Sequence, residues 1–128
     1  MLSPFEPGIR SRWSVKVITR RIVDRMPARS SSIGYHYDYR LYDFQTGDLR
    51  LTARTYADTP QRASFIDWTV DGRAGEAWGV QPLQALISAA VVHLWGKSIR
   101  EFYWYDRAAG AYRELDPHAA MAGTAAED

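Results

Sequence analysis

The chain has 128 residues, of which 46% are hydrophobic and 24% charged, and its formal net charge at pH 7 is +1. This length and composition suit one globular domain with a single core, and they exclude a wholly disordered chain. Because the sequence has no cysteine, disulfides, thiol catalysis and cysteine-ligated metals are excluded. Residues 1–13 lack the apolar segment of a signal peptide, and the longest uncharged segment, 77–96, is too polar to span a bilayer. We therefore predict a cytoplasmic protein without a membrane segment.

The first strand pattern lies at residues 13–24, where β-branched side chains are frequent. Its apolar residues fall on one face as far as Val17 and on the other face from Ile18. This change indicates a β-bulge or a switch of face. Residues 25–32 contain proline, serine and arginine without periodicity, so they predict a mobile loop.

The segment that follows alternates large apolar residues with small or polar ones. One row is Ile33, Tyr35, Tyr37, Tyr39 and Leu41, and the other row is Gly34, His36, Asp38 and Arg40. A period of two predicts a strand. Because tyrosine buries a large ring while its hydroxyl can reach the rim, we predict that the tyrosine row faces the core and the other row faces solvent.

A pattern of the form Y-D-x-x-x-G-x-[LY]-R occurs twice, within residues 42–51 and 105–115. An aspartate four residues before a glycine suits a hairpin loop. Its carboxylate accepts hydrogen bonds from loop N–H groups, and the glycine takes a left-handed conformation. We therefore interpret Asp43 and Asp106 as turn-forming residues and not as catalytic acids.

One helix is predicted over residues 81–96, with Pro82 near its start and Gly96 at its end. Its apolar stripe has the spacing of a helix that packs on a sheet, and it consists of Leu83, Leu86, Ile87, Ala90, Val91 and Leu94. Residues 117–128 are small and polar, and they predict a disordered tail. Residues 1–116 are predicted to form one α+β domain, a curved antiparallel sheet of about six strands with one main helix packed on one face.

The start of this helix lies within W-G-V-Q-P-L-Q-A-L at residues 78–86. This segment resembles the G-[VI]-x-x-[LF]-Q-A-L helix start of small uncharacterised bacterial sheet-plus-helix proteins, a domain of unknown function. The resemblance implies an antiparallel sheet with one packed helix and a bacterial origin. It transfers no catalytic residue to this chain.

The outer face of the helix carries small or apolar residues and no formal charge. It consists of Ala85, Ser88, Ala89, Val92 and Trp95. A surface helix normally carries Lys and Glu on its wet face, so this composition indicates that something covers it. Three covers fit: a second subunit, a partner protein or the tail of the chain itself. We favour a homodimer because small residues allow close approach and a two-fold contact is the commonest assembly.

The sequence contains few candidate catalytic residues. The three histidines His36, His93 and His118 have no metal-site spacing, and no nucleophile or nucleotide motif occurs. We therefore predict no metal and no cofactor. The remaining acid–base candidates, His36 with Asp38 and Arg40, share one strand face, so a small acid–base enzyme is one alternative function.

A second alternative is binding of single-stranded nucleic acid. Arg40, Arg50 and Arg54 are predicted to share an outer sheet face with Tyr56, and arginines interleaved with aromatic rings contact phosphates and stack on bases. The near-zero net charge argues against a dedicated nucleic-acid binder. We therefore predict a non-enzymatic protein-protein interaction protein, a homodimer or one half of a complex, of which an immunity or accessory protein is one form.

Overall fold

The computed structural model describes residues 15–26, 35–74 and 77–126. Its strands are β1 Lys16–Met26, β2 Tyr35–Thr46, β3 Leu49–Tyr56, β4 Arg62–Val70, β5 Arg73–Ala74, β6 Glu101–Asp106 and β7 Ala111–Leu115. Its helices are α1 Gln81–Trp95 and α2 Pro117–Ala126. Trp13 and residues 27–32 of the predicted loop lie outside the described residues. The predicted α+β class is confirmed, because one main helix packs on a mostly antiparallel sheet.

The strands lie in the order β1-β2-β3-β4-β6-β7, and the short β5 pairs with β4. All neighbouring strands are antiparallel except β4 and β6, which are parallel. Parallel neighbours need a long crossover connection, and α1 supplies it while lying across one face of the sheet. The prediction of an antiparallel sheet is therefore correct for every strand pair but this one.

The core lies between α1 and one sheet face, which we call the helix-side face. Its sheet residues are Tyr42, Phe44, Leu51, Ala53, Ala63, Phe65, Trp68, Val70 and Phe102, and its helix residues are Leu83, Leu86, Ile87, Ala90, Val91 and Leu94. The predicted stripe of α1 is thus confirmed. A register shift in the β3–β4 pairing, between Thr52 and Ala53, lets both Phe65 and Trp68 face the helix.

The helix α1 begins as predicted, with Pro82 in its first turn. Its end differs from the prediction in detail. Gly96 keeps a right-handed backbone with φ −63°, and the left-handed residue is Ser98 with φ 71°. The backbone N–H of Ile99 then donates to the carbonyl of Leu94 at 3.1 Å. The left-handed residue after α1 is therefore Ser98, two residues later than the predicted Gly96.

The core-facing row of β2 is not the one predicted. Tyr42 and Phe44 are buried under α1, whereas the side chain of Tyr37 is 48% exposed. Because side chains alternate between faces along a strand, Tyr37 and Tyr39 lie on the opposite face, which we call the open face. The prediction that the tyrosine row faces the core is therefore wrong.

The turn between β2 and β3 explains this arrangement. The loop has only two residues, Gly47 and Asp48, so Thr46 pairs with Leu49 and Phe44 pairs with Leu51. The turn length fixes the register of a hairpin. Even-numbered residues of β2 therefore share a face with odd-numbered residues of β3.

The C-terminal segment, predicted to be disordered, forms the helix α2. The carboxylate of Asp116 accepts a hydrogen bond from the backbone N–H of His118 at 3.0 Å. The backbone carbonyl of Asp116 accepts one from the backbone N–H of Ala120 at 3.1 Å. An N-terminal cap and a proline in the first turn begin a helix, and the alanines that follow are the best helix formers. The tail prediction missed this because the segment has no apolar periodicity.

Candidate binding surfaces

The predicted acid–base residues lie on β2, and one of them is engaged in an ion pair. The backbone of His36 pairs with Arg25 of β1, and its side chain lies outside those described. Asp38 accepts two hydrogen bonds from Arg21, at 3.0 Å from Nε and 2.6 Å from Nη2. A carboxylate bound on both oxygens by a guanidinium is engaged in an ion pair. Asp38 is therefore poorly placed to take a proton from a substrate.

The other two histidines have structural contacts. The ring of His93 lies edge-on to Phe44, with centroids 5.6 Å apart, and burial lowers the pKa of His93, with the charge of Lys97 adding to the effect. Both effects favour the neutral form of His93. The ring of His118 meets Trp95 at 5.4 Å. Within the described ranges, no three His, Asp or Glu side chains lie together in a way that could hold a metal ion.

The open face carries a connected set of aromatic and arginine side chains that crosses the sheet. We call it the Tyr–Arg row, and it consists of Tyr37, Tyr39, Arg54, Tyr56, Tyr105 and Tyr112. The ring of Tyr56 lies 5.7 Å from Tyr39 and 6.4 Å from Tyr37. The guanidinium of Arg54 lies 4.9 Å from the centre of the Tyr56 ring.

The second half of the row begins at the other side of Arg54. Its Nη2 donates a hydrogen bond to the hydroxyl of Tyr112 at 2.9 Å, and the ring of Tyr112 lies 5.0 Å from Tyr105. Because β4 and β6 lie between β3 and β7, the contact between Arg54 and Tyr112 spans two strands. Among the described elements, α1 packs on the helix-side face and α2 packs against α1, so neither helix covers the row.

Charges on the open face are largely paired with one another. Arg50 donates to both oxygens of Asp43, at 3.0 and 2.6 Å, and Arg62 lies 3.0 Å from Glu101. Arg54 differs because no carboxylate among the described residues pairs with it. Its Nε is also buried without a hydrogen-bond acceptor, and an unsatisfied buried donor is costly.

The predicted set of anion-contacting residues is split between the two faces. Arg50, Arg54 and Tyr56 lie together on the open face, as predicted. Arg40 pairs with the buried Thr55, so it lies on the helix-side face. The same strand pairing that places the tyrosines on the open face removes Arg40 from it.

A cleft opens on the helix-side face beyond the C-terminal end of α1. It encloses about 340 Å³ and is lined by three cations, Arg21, Arg40 and Lys97, and by the carboxylate of Asp38. The hydroxyl-bearing residues Tyr42 and Thr55 also line it. We call these six residues the basic cleft. Sequence reasoning found Asp38 and Arg40 but not the others, because Lys97 joins them only through the fold.

The outer face of α1 is partly covered by the chain itself. Of the five residues predicted there, Ser88 is buried, Ala85, Ala89 and Trp95 are half-buried, and Val92 is 45% exposed. Ring contact between Trp95 and His118 places α2 beside this face, and Ala120 and Met121 pack against the core. The structure thus favours the third of the predicted covers, the C-terminal segment.

Comparison of the chain with protein-family models, with curated proteins and with solved structures finds no match. The likeness of residues 78–86 to small bacterial proteins therefore stays a prediction. In the part of the chain that the structure describes, no helix is long and apolar enough to cross a membrane. Fold and surfaces together define an α+β protein with a tyrosine- and arginine-rich sheet face, which no described element covers, and with a basic cleft beside it.

Proposed function

We propose that the protein is a non-enzymatic interaction protein that forms a homodimer through its open sheet face. The observation that carries the proposal is the Tyr–Arg row, which crosses the face and which no described element covers. Tyrosine and arginine are enriched at protein interfaces because they offer a large contact area together with polar groups. A row of this kind, with Tyr37 and Tyr112 exposed and its other members half-buried, is typical of a contact surface.

The charges of the open face favour a second copy as the partner. Arg54, Ser64, Tyr103 and Glu114 lie directly opposite one another on β3, β4, β6 and β7. Neither charged end of this line pairs with an opposite charge among the described residues. A two-fold axis over its midpoint brings the Arg54 position of each copy over the Glu114 position of the other. The face is therefore self-complementary in charge.

The size of the face suits a dimer. Six strands in sequence across the sheet at about 4.8 Å spacing give a width of roughly 24 Å. The eight residues of β3 give a length of roughly 26 Å at about 3.3 Å per residue. The product, roughly 600 Å² before side-chain relief is counted, approaches the ~800 Å² per partner of a stable interface.

A nucleic-acid partner fits the face less well. Arg50 and Arg62 are already engaged by Asp43 and Glu101, so a phosphate backbone would meet carboxylates along with arginines. Binding of single strands depends on a surplus of positive charge that tracks the phosphates. The open face lacks a large surplus among its described residues.

Sedimentation velocity on charge-swap variants tests the proposal. We expect a wild-type dimer, and we expect Arg54→Glu and Glu114→Arg each to give monomers, because each places two like charges together in a two-fold contact. Mixing the two variants should restore a dimer, since the glutamate introduced in one variant then meets the arginine introduced in the other. Arg73→Glu, an exposed substitution on β5, is the control and should leave the dimer intact.

Three results would overturn the proposal. The first is a wild-type monomer at high concentration, and the second is a dimer that neither swap affects. The third is salt-sensitive binding of a single-stranded oligonucleotide that Arg54→Glu abolishes in a monomeric wild type, which would assign the face to nucleic acid instead.

A further inference from the structure

The basic cleft lies on the helix-side face, although Tyr39 and Tyr56 of the Tyr–Arg row also border it, and its charges are unbalanced. Three cations and one carboxylate line it, which leaves a formal excess of two positive charges. The carboxylate of Asp38 is engaged by Arg21. No carboxylate of the described residues pairs with Arg40 or Lys97. Both cations therefore remain available to an anion that enters the cleft.

The fold holds positive charges together at this place. Arg21 and Arg40 are directly opposite each other on β1 and β2, and like charges in that position destabilise a sheet. Lys97 adds a third cation from the segment just after α1. Asp38 offsets only part of this repulsion. A bound anion would relieve the rest, so the arrangement favours binding of negative charge.

Two largely buried residues with hydroxyl groups, Tyr42 and Thr55, also line the cleft. The exposed fraction is 5% for Tyr42 and 7% for Thr55, and neither hydroxyl donates to another described residue. Neither hydroxyl is one of the buried, unpaired polar atoms of the described residues, so both can be reached from the cleft. Hydroxyls and cations on one concave wall are the polar groups that fix a small ligand in its site.

We propose that the basic cleft binds a small molecule through a multiply charged oxyanion, either a phosphate group or a set of carboxylates. Arg40 offers two parallel N–H donors to such a group, and Lys97 offers a compact charge. The hydroxyls of Tyr42 and Thr55 donate to the same oxygens. The volume of about 340 Å³ lies at the lower end of the range for small-molecule sites, roughly 300–1,000 Å³.

Isothermal titration calorimetry with inorganic pyrophosphate and with citrate, in about 0.15 M NaCl to screen loose surface attraction, tests this inference. We expect one saturable site for at least one probe. Arg40→Gln and Lys97→Gln should each weaken binding about tenfold or more, because each removes a contact with the charged group. Tyr42→Phe also removes a contact and should weaken binding to a smaller degree. Binding of pyrophosphate alone identifies a phosphate site, and binding of citrate alone identifies a polycarboxylate site.

Matched control variants distinguish binding in the cleft from attraction by the net charge of the protein. Arg73→Gln removes the same charge from an exposed position on β5, and it should leave the affinity unchanged. Arg54→Gln, on the open face, should also leave it unchanged, so that dimerisation and anion binding are tested independently. Failure of both probes to bind at millimolar concentration overturns the inference. Equal weakening by Arg40→Gln and Arg73→Gln does so too, because it shows attraction by net charge alone.

Discussion

Asp43 and Asp106 occupy the same place in two hairpins that share one sequence pattern, and each carboxylate accepts a hydrogen bond from the arginine seven residues later, Arg50 or Arg113. Their remaining partners differ. Asp106 accepts hydrogen bonds from the loop N–H groups of Ala108 and Ala109, at 3.1 and 3.3 Å. Asp43 accepts no hydrogen bond from a described loop N–H group, and its second partner besides Arg50 is the hydroxyl of Thr52. The second loop has four residues and the first has two, so Asp43 lies within its strand. The turn-forming interpretation is confirmed for Asp106 and wrong for Asp43.

The pairing of Asp43 with Arg50 predicts a loss of stability in acid. The hydrogen bond from Arg50 is the main cause that lowers the pKa of Asp43 below its ordinary value. A carboxylate with a lowered folded-state pKa stabilises the fold above its unfolded pKa of about 3.9. That contribution is lost as the pH falls below about 4 and through the lowered value. Urea unfolding at pH 7 and pH 3 should show this difference in the wild type.

The variant Asp43→Asn should remove the contribution. We expect a loss of about 1–2 kcal/mol at pH 7, toward the low end for a charged hydrogen-bonded pair, because the side chain of Arg50 is 54% exposed. The gap in the free energy of unfolding between the variant and the wild type should narrow at pH 3. A gap that stays constant with pH would show that the packing of the introduced asparagine, and not the lost charge, is responsible.

The glycines of both hairpins have the predicted left-handed backbone, with φ 57° at Gly47 and φ 65° at Gly110. A Cβ added at Gly110 would meet no atom within 4 Å, so only backbone strain opposes a larger residue. Gly110→Ala should therefore cost about 1 kcal/mol. Gly110→Asn should cost less, since asparagine tolerates this conformation. Thermal unfolding of the two variants checks the order, and equal stability of both variants would contradict it.

Trp78 closes the end of the core that lies next to the start of α1. Its ring stacks on Trp104 at 5.3 Å with 5° between the ring planes, and it meets Trp68 edge-on at 4.8 Å. Trp78→Ala should cost about 2–4 kcal/mol, somewhat less than a fully buried tryptophan, because the residue is half-buried. The near-ultraviolet circular dichroism signal of the tryptophan cluster should also decrease in this variant. Trp78→Phe is the control, and it should keep most of the stability but lose the indole signal.

The sequence predicts the strands and α1 well because side-chain periodicity is a local property. It does not state which row of a strand meets the helix when both rows carry large side chains, as Tyr39 and Tyr42 do. The length of the turn at Gly47 and Asp48 was the signal that could have decided this, because it pairs Tyr39 with Tyr56. For α2, the signal was the capping pair Asp116 and Pro117.

The candidate surfaces depend on contacts between distant parts of the chain. The Tyr–Arg row joins β2, β3, β6 and β7, and the crossing of Arg54 to Tyr112 follows from the insertion of β6 beside β4. No local pattern predicts this insertion. Lys97 likewise reaches the basic cleft only because α1 ends above the β2 and β3 residues that line it. The sequence therefore identified single residues of each surface but not the complete sets of residues that form them.

The contact between α1 and α2 predicts how the C-terminal helix contributes to the fold. Ala120 packs against the core, whereas its neighbour Ala119 is exposed. Ala120→Glu places a charge in the contact, and α2 should detach because burying an unpaired charge costs more than losing a short helix. Ala119→Glu is the matched control, with the same added charge and the same change in helix propensity.

Detachment of α2 has a distinct optical signature. Trp95 loses the ring of His118, which lies 5.4 Å from it in the wild type, so acrylamide should quench tryptophan fluorescence more strongly in Ala120→Glu than in Ala119→Glu. Far-ultraviolet circular dichroism should lose helix while the sheet signal persists, because the core between α1 and the helix-side face remains. Deletion of residues 117–128 should reproduce the Ala120→Glu result and lower solubility by exposing apolar surface on α1. Equal quenching in both glutamate variants, matching the wild type, would show that α2 does not protect this face.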